Sequence, residues 1–187
     1  MEVPKHLGGH NNRTWIDRGA LRYMMHKHNC KTMLDIGCGP GGQVESAKMV
    51  GYTKALGVDG DHTVNPDLLH DFTKDRLLIE DRFDLAWSVE FLEHVPEKYI
   101  DNYMPLFKNC KHVVCTSSLY HNEHHFCIQE KSWWIDQFEK RGFTYVDNIY
   151  KEILEASTMD KKTTQKDGIT ASWLERNGMY FRNENYD

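Results

Sequence analysis

A glycine-rich loop is the segment of this sequence whose residue types and spacing best suit binding chemistry. It reads Asp35-Ile-Gly-Cys-Gly-Pro-Gly-Gly42, directly after a short apolar run and directly before a helical pattern. Glycines let the backbone turn sharply and approach a ligand closely. Gly37, Gly39 and Gly42 also satisfy the G-x-G-x-x-G pattern of dinucleotide-binding proteins. However, an acidic residue just before the first glycine suits a ligand with a positively charged end and is poorly placed for a pyrophosphate.

A second acidic residue, Asp59, follows the next apolar run, Leu-Gly-Val. Open α/β sheets bind their ligands at the carboxyl ends of their strands, and a carboxylate there can accept hydrogen bonds from two hydroxyl groups. The alternative is that Asp59 only caps the turn that follows. We predict that it binds a ligand.

Two carboxylates and an imidazole come together in the run Ser88-Val-Glu-Phe-Leu-Glu-His94. Glu90, Glu93 and His94 stand at i, i+3 and i+4, so a single helical turn would place all three on one face. Such a cluster is costly unless a cation or hydrogen bonds satisfy it. It suits a hard divalent ion such as Mg²⁺ or Mn²⁺. Alternatively, the two glutamates line a ligand pocket and the histidine packs beneath the next helix.

A second histidine group, His121-Asn-Glu-His-His125, follows the fourth apolar run. Loops at the carboxyl ends of neighbouring parallel strands converge, so we expect this loop to face the Glu90–His94 turn. His124 or His125 would then complete a metal site or act as the base that takes a proton from an acceptor. In the alternative interpretation, either histidine merely hydrogen-bonds to the backbone.

Apolar runs alternate with helix-like stretches along the chain, which is typical of an α/β fold with a largely parallel sheet. We predict one domain over residues 1–187, with an N-terminal helix or lid at 1–31 and a core at 32–187. The expected fold class is a doubly wound, Rossmann-like, mostly parallel seven-stranded sheet. The predicted strands are 32–36, 55–58, 83–89, 112–117 and 143–146, with a hairpin or final strand at 173–182 broken at Asn177-Gly178. The predicted helices are 15–28, 44–50, 96–109 and 132–141, followed by a helix and a polar loop over 147–162.

The composition is that of an ordinary soluble globular protein. Of 187 residues 40% are hydrophobic and 27% charged, and the formal net charge is −5. This charge balance argues against a protein that binds nucleic acid with its whole surface, but it does not exclude a local basic groove. Five cysteines without a C-x-x-C pair indicate reduced, packed thiols. No apolar run is long enough for a membrane span or a secretory signal, so we expect a cytoplasmic protein with no membrane partner.

The glycine loop resembles motif I of the class I S-adenosylmethionine (SAM)-dependent methyltransferases, and the resemblance continues with the expected spacing from about residue 32 to residue 142. It implies that Gly37 and Gly39 lie under the methionine and ribose portion of SAM, and that Asp59 binds both ribose hydroxyls. It also implies that Asp71 meets the adenine amino group beside Phe72. The cofactor contacts implied in this way are Asp35, Gly37, Cys38, Gly39, Asp59, Gly60, Asp71, Phe72 and Glu90.

The E-x-x-E-H spacing resembles two metal-assisted groups of O-methyltransferases. One group methylates catechol-like hydroxyls in making ubiquinone, and the other methylates the 2′-hydroxyl at small-RNA 3′ ends. The implied metal ligands are Glu90, Glu93, His94 and His125. The run Cys127-Ile-Gln-Glu-Lys-Ser-Trp-Trp134 resembles the same region of small methyltransferases from phage and marine bacterial sequences, which carry paired histidines before a helix.

We therefore expect a SAM-dependent methyltransferase that transfers a methyl group to the hydroxyl of a small molecule, with Mg²⁺ or Mn²⁺ assisting. The candidate catalytic residues are Glu90, His124 and His125. Three alternatives stay open: an RNA 2′-O-methyltransferase, an NAD(P)-dependent oxidoreductase, and a SAM-binding module without catalysis.

Overall fold

The alternating apolar stretches form a central sheet that carries helices on both faces. The computed structural model describes residues 3–159 and 171–186. The strands are β1 (Thr32–Ile36), β2 (Lys54–Asp59), β3 (Leu68–Leu69), β4 (Phe83–Ser88), β5 (Cys110–Cys115), β6 (Phe143–Tyr145) and β7 (Met179–Asn183). The helices are α1 (Arg18–His28), α2 (Gly42–Val50), α3 (Ile100–Lys108), α4 (Lys131–Glu139), α5 (Asp147–Ala156) and α6 (Trp173–Asn177).

The strand order is β3-β2-β1-β4-β5-β7-β6. β1 pairs in parallel with β2 and β4, and the outer pairs β2–β3 and β4–β5 are parallel too. Among the strands of the described residues, only β7 runs antiparallel to its neighbours, β5 and β6. The predicted fold class, a mostly parallel seven-stranded sheet, is confirmed. Because the strand order reverses between β1 and β4, the sheet has its ligand crevice at the carboxyl ends of these two strands.

Side chains on alternate positions of each strand supply two hydrophobic layers, one on each face of the sheet. On β1, Leu34 and Ile36 belong to the layer under α3 and α4, whereas Met33 belongs to the layer under α1 and α5. All five cysteines are free and buried in these layers, as predicted. Within the described residues, no helix combines the length and the apolar character that a membrane span requires.

The structure differs from the prediction at several places along the chain, two of which are β3 and the Asn177-Gly178 step. β3, only two residues long, was missed because so short a strand carries no periodicity. The predicted break at Asn177-Gly178 is not a hairpin turn: a helix ends there and β7 begins. A capping box starts that helix, because Ser172 Oγ accepts from Glu175 N–H at 3.2 Å and the Glu175 carboxylate accepts from Ser172 N–H. The end of the polar loop expected within 147–162 lies outside the described residues, which resume at 171.

The leading helix, α1, starts three residues later than predicted because Asp17 caps it. The buried Asp17 carboxylate accepts from Ala20 N–H at 2.9 Å and from Thr158 N–H at 2.8 Å, and it also accepts from the Ser157 hydroxyl. Asp17 N–H in turn donates to Gln43 Oε1 on α2 at 3.0 Å. One aspartate therefore joins the start of α1 to α2 and to the chain that follows α5.

Replacing Asp17 with Ala should lower the free energy of unfolding by about 2–4 kcal/mol, because a helix cap and further charge-assisted hydrogen bonds are lost together. Urea denaturation would measure this change. Asp136→Ala, which removes an exposed carboxylate of α4 paired with Lys140, is the matched control and should cost less than about 1 kcal/mol. Equal losses in the two variants would contradict the role given to Asp17.

Candidate active site

A cavity of about 370 Å³ opens at the carboxyl ends of β1, β2 and β4, where the strand order reverses. Its floor is the glycine loop after β1, and its walls are the loops after β2, β3, β4 and β5. The N-terminal segment lies across it. The predicted site residues that line it are Asp35, Gly37, Cys38, Gly39, Asp59, Gly60, Asp71, Phe72, Glu90, His94 and His125.

The glycine loop adopts a conformation that side chains would disturb. Gly37 and Gly39 have positive φ angles of 77° and 50°. A Cβ on Gly37 would stand 2.5 Å from the Phe91 ring, so only glycine fits there. The N–H groups of Gly37 and Cys38 both donate to the Val58 carbonyl, at 2.9 and 3.1 Å, which ties the loop to β2. The result is an open backbone cradle beneath the cavity.

Asp59 holds this cradle to the loop after β2. One carboxylate oxygen accepts from Gly39 N–H at 2.8 Å and the other from Asp61 N–H at 2.9 Å. Burial raises the pKa of Asp59. It also raises the pKa of Asp35 well above its ordinary value, and the nearby charge of Asp59 adds to that effect. Each oxygen of Asp59 keeps a second lone pair for a ligand hydroxyl.

Asp71 and Phe72 lie at the far end of the cavity, after β3. One oxygen of Asp71 accepts from Thr73 N–H at 2.9 Å and from the Thr73 hydroxyl at 2.7 Å, and it meets His6 Nε2 at 3.0 Å. Burial would raise the pKa of Asp71, but these hydrogen bonds outweigh it and lower the pKa. Phe72 is buried against Phe91, with ring centroids 5.7 Å apart. At this end of the cavity, the apolar ring of Phe72 therefore lies next to the carboxylate-bearing residue Asp71.

Glu90 follows β4 with a positive φ of 55°, a strained conformation for a residue with a side chain. Its N–H donates to Thr116 Oγ1, and that hydroxyl donates back to the Glu90 carboxylate, both at 2.8 Å. Burial raises the pKa of Glu90 to about 7, although the Thr116 hydrogen bond works in the opposite direction. Glu90 is therefore fixed to the end of β5 and points its carboxyl toward the cavity.

Glu93, His94 and His125 form a cluster with ligand-capable atoms that all lie within 4.8 Å of one another. Glu93 is fully buried, and neither of its carboxylate oxygens has a hydrogen-bond partner in the described part of the chain; the same holds for His94 Nδ1. His125 Nε2 stands 4.0 Å from Glu93 Oε1, and its ring packs edge-on against His94 at 4.8 Å. Buried polar atoms without partners are rare and call for a missing ligand, ion or water.

The two histidines of this cluster are neutral. Burial, together with the charges of neighbouring histidines, lowers the pKa of His94 to about 3. Burial also lowers the pKa of His125. His125 Nδ1 is 2.6 Å from the Tyr120 carbonyl and so carries the proton, which leaves Nε2 with a lone pair that now accepts from Asn122 at 3.0 Å. Once Asn122 releases this lone pair, the neutral imidazole can bind a metal or take a proton.

The helical turn predicted for Glu90, Glu93 and His94 is wrong. Leu92–His94 is a short 3₁₀ turn, and Glu90 precedes it with a left-handed backbone. Glu90 consequently lies outside the three-residue cluster, although its charge still contributes to raising the pKa of Glu93. Of the histidine pair, the structure places His125 beside Glu93. His124 instead donates from Nδ1 to the Lys5 carbonyl at 2.7 Å and does not line the cavity.

Residues 5–14, which we call the strap, form the roof of the cavity. His6 meets Asp71 at 3.0 Å and His10 meets Asp61 at 2.9 Å in the loops after β3 and β2, while Lys5 pairs with Glu123 at 2.9 Å in the loop after β5. The strap also passes directly over the cluster: a Cβ on Gly9 would stand 2.7 Å from His94 Cε1.

These strap contacts were not predicted from the sequence. The expected lid carried no residue assignments, because its histidines and glycines form no recognisable spacing. The only signal in the sequence was the unusual number of histidines, 11 in all. The structure shows that two of them, His6 and His10, hold the strap to carboxylates of the cavity wall.

Solved structures of methyltransferases share this fold. The methyltransferase domain of bacterial CtHen1-C matches with a TM-score of 0.59 and 16% identity, over 88% of this chain and 95% of that domain. Magnesium protoporphyrin IX methyltransferase ChlM from Synechocystis PCC 6803, solved with bound SAH, matches at 0.54 and 12%, over 86% and 78% of the two chains. Mitomycin 7-O-methyltransferase MmcR matches at 0.53 and 11%, over 89% and 52%.

No protein-family model and no curated protein sequence matches this chain. At 11–16% identity, the similarity to these structures is one of fold. The chain therefore has the class I methyltransferase fold, in agreement with the resemblance of its glycine loop.

The buried carboxyls predict how stability depends on pH. Burial, reinforced by the charge of Glu90, raises the pKa of Glu93 well above its ordinary value of 4.5, so the folded protein keeps a proton that the unfolded chain releases. Stability is therefore greatest below the unfolded pKa and is lost as pH rises toward the folded one. In metal-free protein, Glu93→Gln should flatten this loss between about pH 5 and 8 and raise the free energy of unfolding at pH 8 by about 1–3 kcal/mol.

Urea denaturation across that pH range, in the presence of a chelator, would measure the effect. Glu155→Gln, at an exposed position of α5, is the matched control and should follow the parent at every pH. A Glu93→Gln variant whose stability falls with pH as steeply as the parent's would show that Glu93 is ionised in the folded state.

Proposed function

We propose that this protein is a SAM-dependent methyltransferase that methylates the hydroxyl of a small molecule with the help of a divalent cation. The observation that carries the proposal is the convergence on one cavity of the glycine loop, Asp59 and the two histidines, His94 and His125, of the cluster that also contains the buried Glu93. The glycine loop and Asp59 fit a cofactor with a ribose and a cationic end. The cluster fits a metal or a base. The methyltransferase fold of the chain supports the same function.

The residues of the cavity fit SAM. The positive-φ glycines leave room for a ligand to rest on the backbone, and Asp59 has lone pairs for the two ribose hydroxyls. The pKa of Asp35 is raised by burial and by Asp59, so a cationic ligand group beside it would favour its ionised form. When bound, SAM supplies a methyl group on a positively charged sulfur. The protein's part is to position that group against the acceptor and to remove the acceptor's proton.

Proton removal is assigned to the wall opposite the cofactor residues. His125 Nε2 is an unprotonated nitrogen on the cavity wall and can accept the hydroxyl proton. A cation held by Glu93, His94 and His125 would instead lower the pKa of that hydroxyl, and Glu90 stands beside both positions. A hydroxyl is the acceptor that gains most from either kind of help, because it is a weak nucleophile until it loses its proton.

The strap favours a small acceptor over RNA. An RNA 2′-hydroxyl is the same chemical group on a much larger molecule, and residues 5–14 cross the mouth of the cavity. The net charge of −5 also disfavours a polyanion. The cavity lining also contains four acidic residues, Asp35, Asp59, Asp71 and Glu90. An acidic lining disfavours phosphate, so a neutral or cationic hydroxyl compound is the better fit.

Titration calorimetry with SAM, SAH, NAD and NADP tests the cofactor. SAM and SAH should bind and the dinucleotides should not. Asp59→Ala should weaken SAM binding by about 1–3 kcal/mol, because a charged partner of the ribose is lost. Asp81→Ala, an exposed carboxylate paired with Lys54, is the control and should bind as the parent does. Heat from NAD alone would overturn the methyltransferase assignment, and full-strength SAM binding by Asp59→Ala would overturn the ribose contact.

Thermal unfolding of chelator-treated protein with added Mg²⁺, Mn²⁺ or Co²⁺ tests the metal. A cation that binds the native state must raise its melting temperature by mass action. We expect such a rise in the parent and its loss in Glu93→Gln, which keeps the shape of the side chain and removes the charge.

The neighbouring histidines supply a matched pair for the same experiment. His125→Ala should lose the cation-dependent rise, whereas His124→Ala should keep it, because only His125 lies in the cluster. If the parent shows no rise, or if both histidine variants lose it equally, the cation site does not exist as described. His125 would then keep the role of base alone.

A further inference from the structure

The cavity has apolar walls from both hydrophobic layers of the sheet. Phe72, next to Asp71, and Phe91 line it from the layer under α3 and α4. The layer under α1 and α5 contributes a second apolar wall, which we call the tryptophan wall and which is formed by Trp15, Trp87, Val89 and Trp173. The adenine of SAM is expected at the Phe72 end, so the tryptophan wall is available to a second ligand.

The tryptophan wall begins beside the acid that is expected to meet the cationic end of the cofactor. Trp87 on β4 pairs in register with Asp35 on β1. Met33 and Leu85, two positions earlier on these strands, belong to the layer under α1 and α5. Because side chains alternate along a strand, Asp35 and Trp87 lie on that same face of the sheet. In the proposed complex the wall therefore adjoins the methionine portion of SAM, which carries the reactive sulfur.

Two members of the wall, Trp15 and Trp173, hold each other in a defined arrangement. Their rings pack edge to face, with centroids 5.9 Å apart and ring planes at 73°, which is a favourable geometry for two aromatic rings. Both side chains are half-buried. Trp173 is the first residue of the capped helix α6, and Trp15 lies between Thr14 and Asp17, which both hydrogen-bond to α2. The two rings are thus fixed in place without a ligand.

A fixed corner of two indole rings suits either a flat aromatic ring or an organic cation. A cation is the poorer fit here, because the sulfur and the amino group of SAM already bring positive charge to this end of the cavity. From these observations we infer that the methyl acceptor carries its hydroxyl on an aromatic ring and that Trp15 and Trp173 bind this ring. The inference rests on the proposed function and narrows its acceptor class.

A hydroxyl on an aromatic ring also suits the neutral base of the site. Such a hydroxyl has a pKa of about 10, far below that of an aliphatic alcohol, so it gives up its proton more readily. In the transfer, the acceptor oxygen forms a bond to the methyl carbon while the bond from that carbon to sulfur breaks and its electron pair stays on sulfur. The hydroxyl proton passes to His125 Nε2, and the products are the methyl ether and SAH.

Two probes with the same carbon skeleton and one hydroxyl group isolate the contribution of the aromatic ring. 2-Naphthol is flat and aromatic, whereas decahydro-2-naphthol is saturated. In titration calorimetry of the SAH-saturated protein, 2-naphthol should bind about tenfold or more tightly than the saturated alcohol. Trp173→Leu should weaken 2-naphthol binding about tenfold and leave SAH binding unchanged, and Trp173→Phe, which keeps a ring, should lose less.

Trp133 supplies the matched control. It is also a half-buried tryptophan packed edge-on against a second one, Trp134 at 4.8 Å, but it lies on α4 outside the cavity lining. Trp133→Leu should therefore bind both 2-naphthol and SAH as the parent does.

The remaining outcomes separate this inference from the function on which it rests. If the parent binds SAH but binds the two alcohols equally, or binds choline in place of 2-naphthol, the wall does not select an aromatic ring and the inference is overturned. It is also overturned if Trp173→Leu loses SAH binding as strongly as 2-naphthol binding, or if Trp133→Leu loses 2-naphthol binding equally. If the parent does not bind SAH, the methyltransferase function itself has failed.

Discussion

The withdrawal of carboxyl groups from water is the physical constraint that shapes this cavity. Burial raises the pKa values of Asp35, Asp59, Glu90 and Glu93, and the charge of a neighbouring acid adds to the effect at Asp35, Asp59 and Glu93. An ionised carboxylate withdrawn from water is costly unless an opposite charge or hydrogen bonds compensate it. The fold supplies some of that compensation through backbone N–H groups and Thr116, but no residue in the described part of the chain donates a hydrogen bond to the Glu93 carboxylate. Protons or cationic ligands must supply the rest, and both the proposed cofactor and a divalent ion are cationic.

The strap follows from the same constraint. It carries His6, His10, Lys5 and Arg13, and three of these meet carboxylates on the two walls of the cavity. An N-terminal segment without a hydrophobic stripe has little apolar area to bury, so polar contacts with the walls must hold it. Asp17 then fixes its far end to α1, α2 and the chain after α5. The roof of the cavity is thus held by electrostatics at one end and by the helix framework at the other.

The strand–loop–helix corner at residues 32–50 and the sheet itself could be predicted from the sequence, because each carries a local pattern of apolar runs, glycines and terminal acids. The meeting of the His125 loop with Glu93 was also predictable, since neighbouring parallel strands bring their carboxyl ends together. Three features could not be predicted from the sequence. β3 is too short to show periodicity, the Asn-Gly step of 177–178 follows a capped helix instead of turning a hairpin, and the strap depends on contacts about 50–65 residues apart in the chain.

The backbone at Glu90 differs from the predicted helix, and this difference decides how the three side chains of the turn are arranged. On an ideal helix Glu90, Glu93 and His94 would share a face, but Glu90 adopts a left-handed backbone and only Leu92–His94 winds as a 3₁₀ turn. The strain at Glu90 is balanced by its paired hydrogen bonds with Thr116 at the end of β5. The Glu90 carboxyl lines the cavity and its charge raises the pKa of Glu93, while Glu93 and His94 lie beside His125. One five-residue motif therefore supplies an acid of the cavity lining and two residues of the cluster that would act on the acceptor.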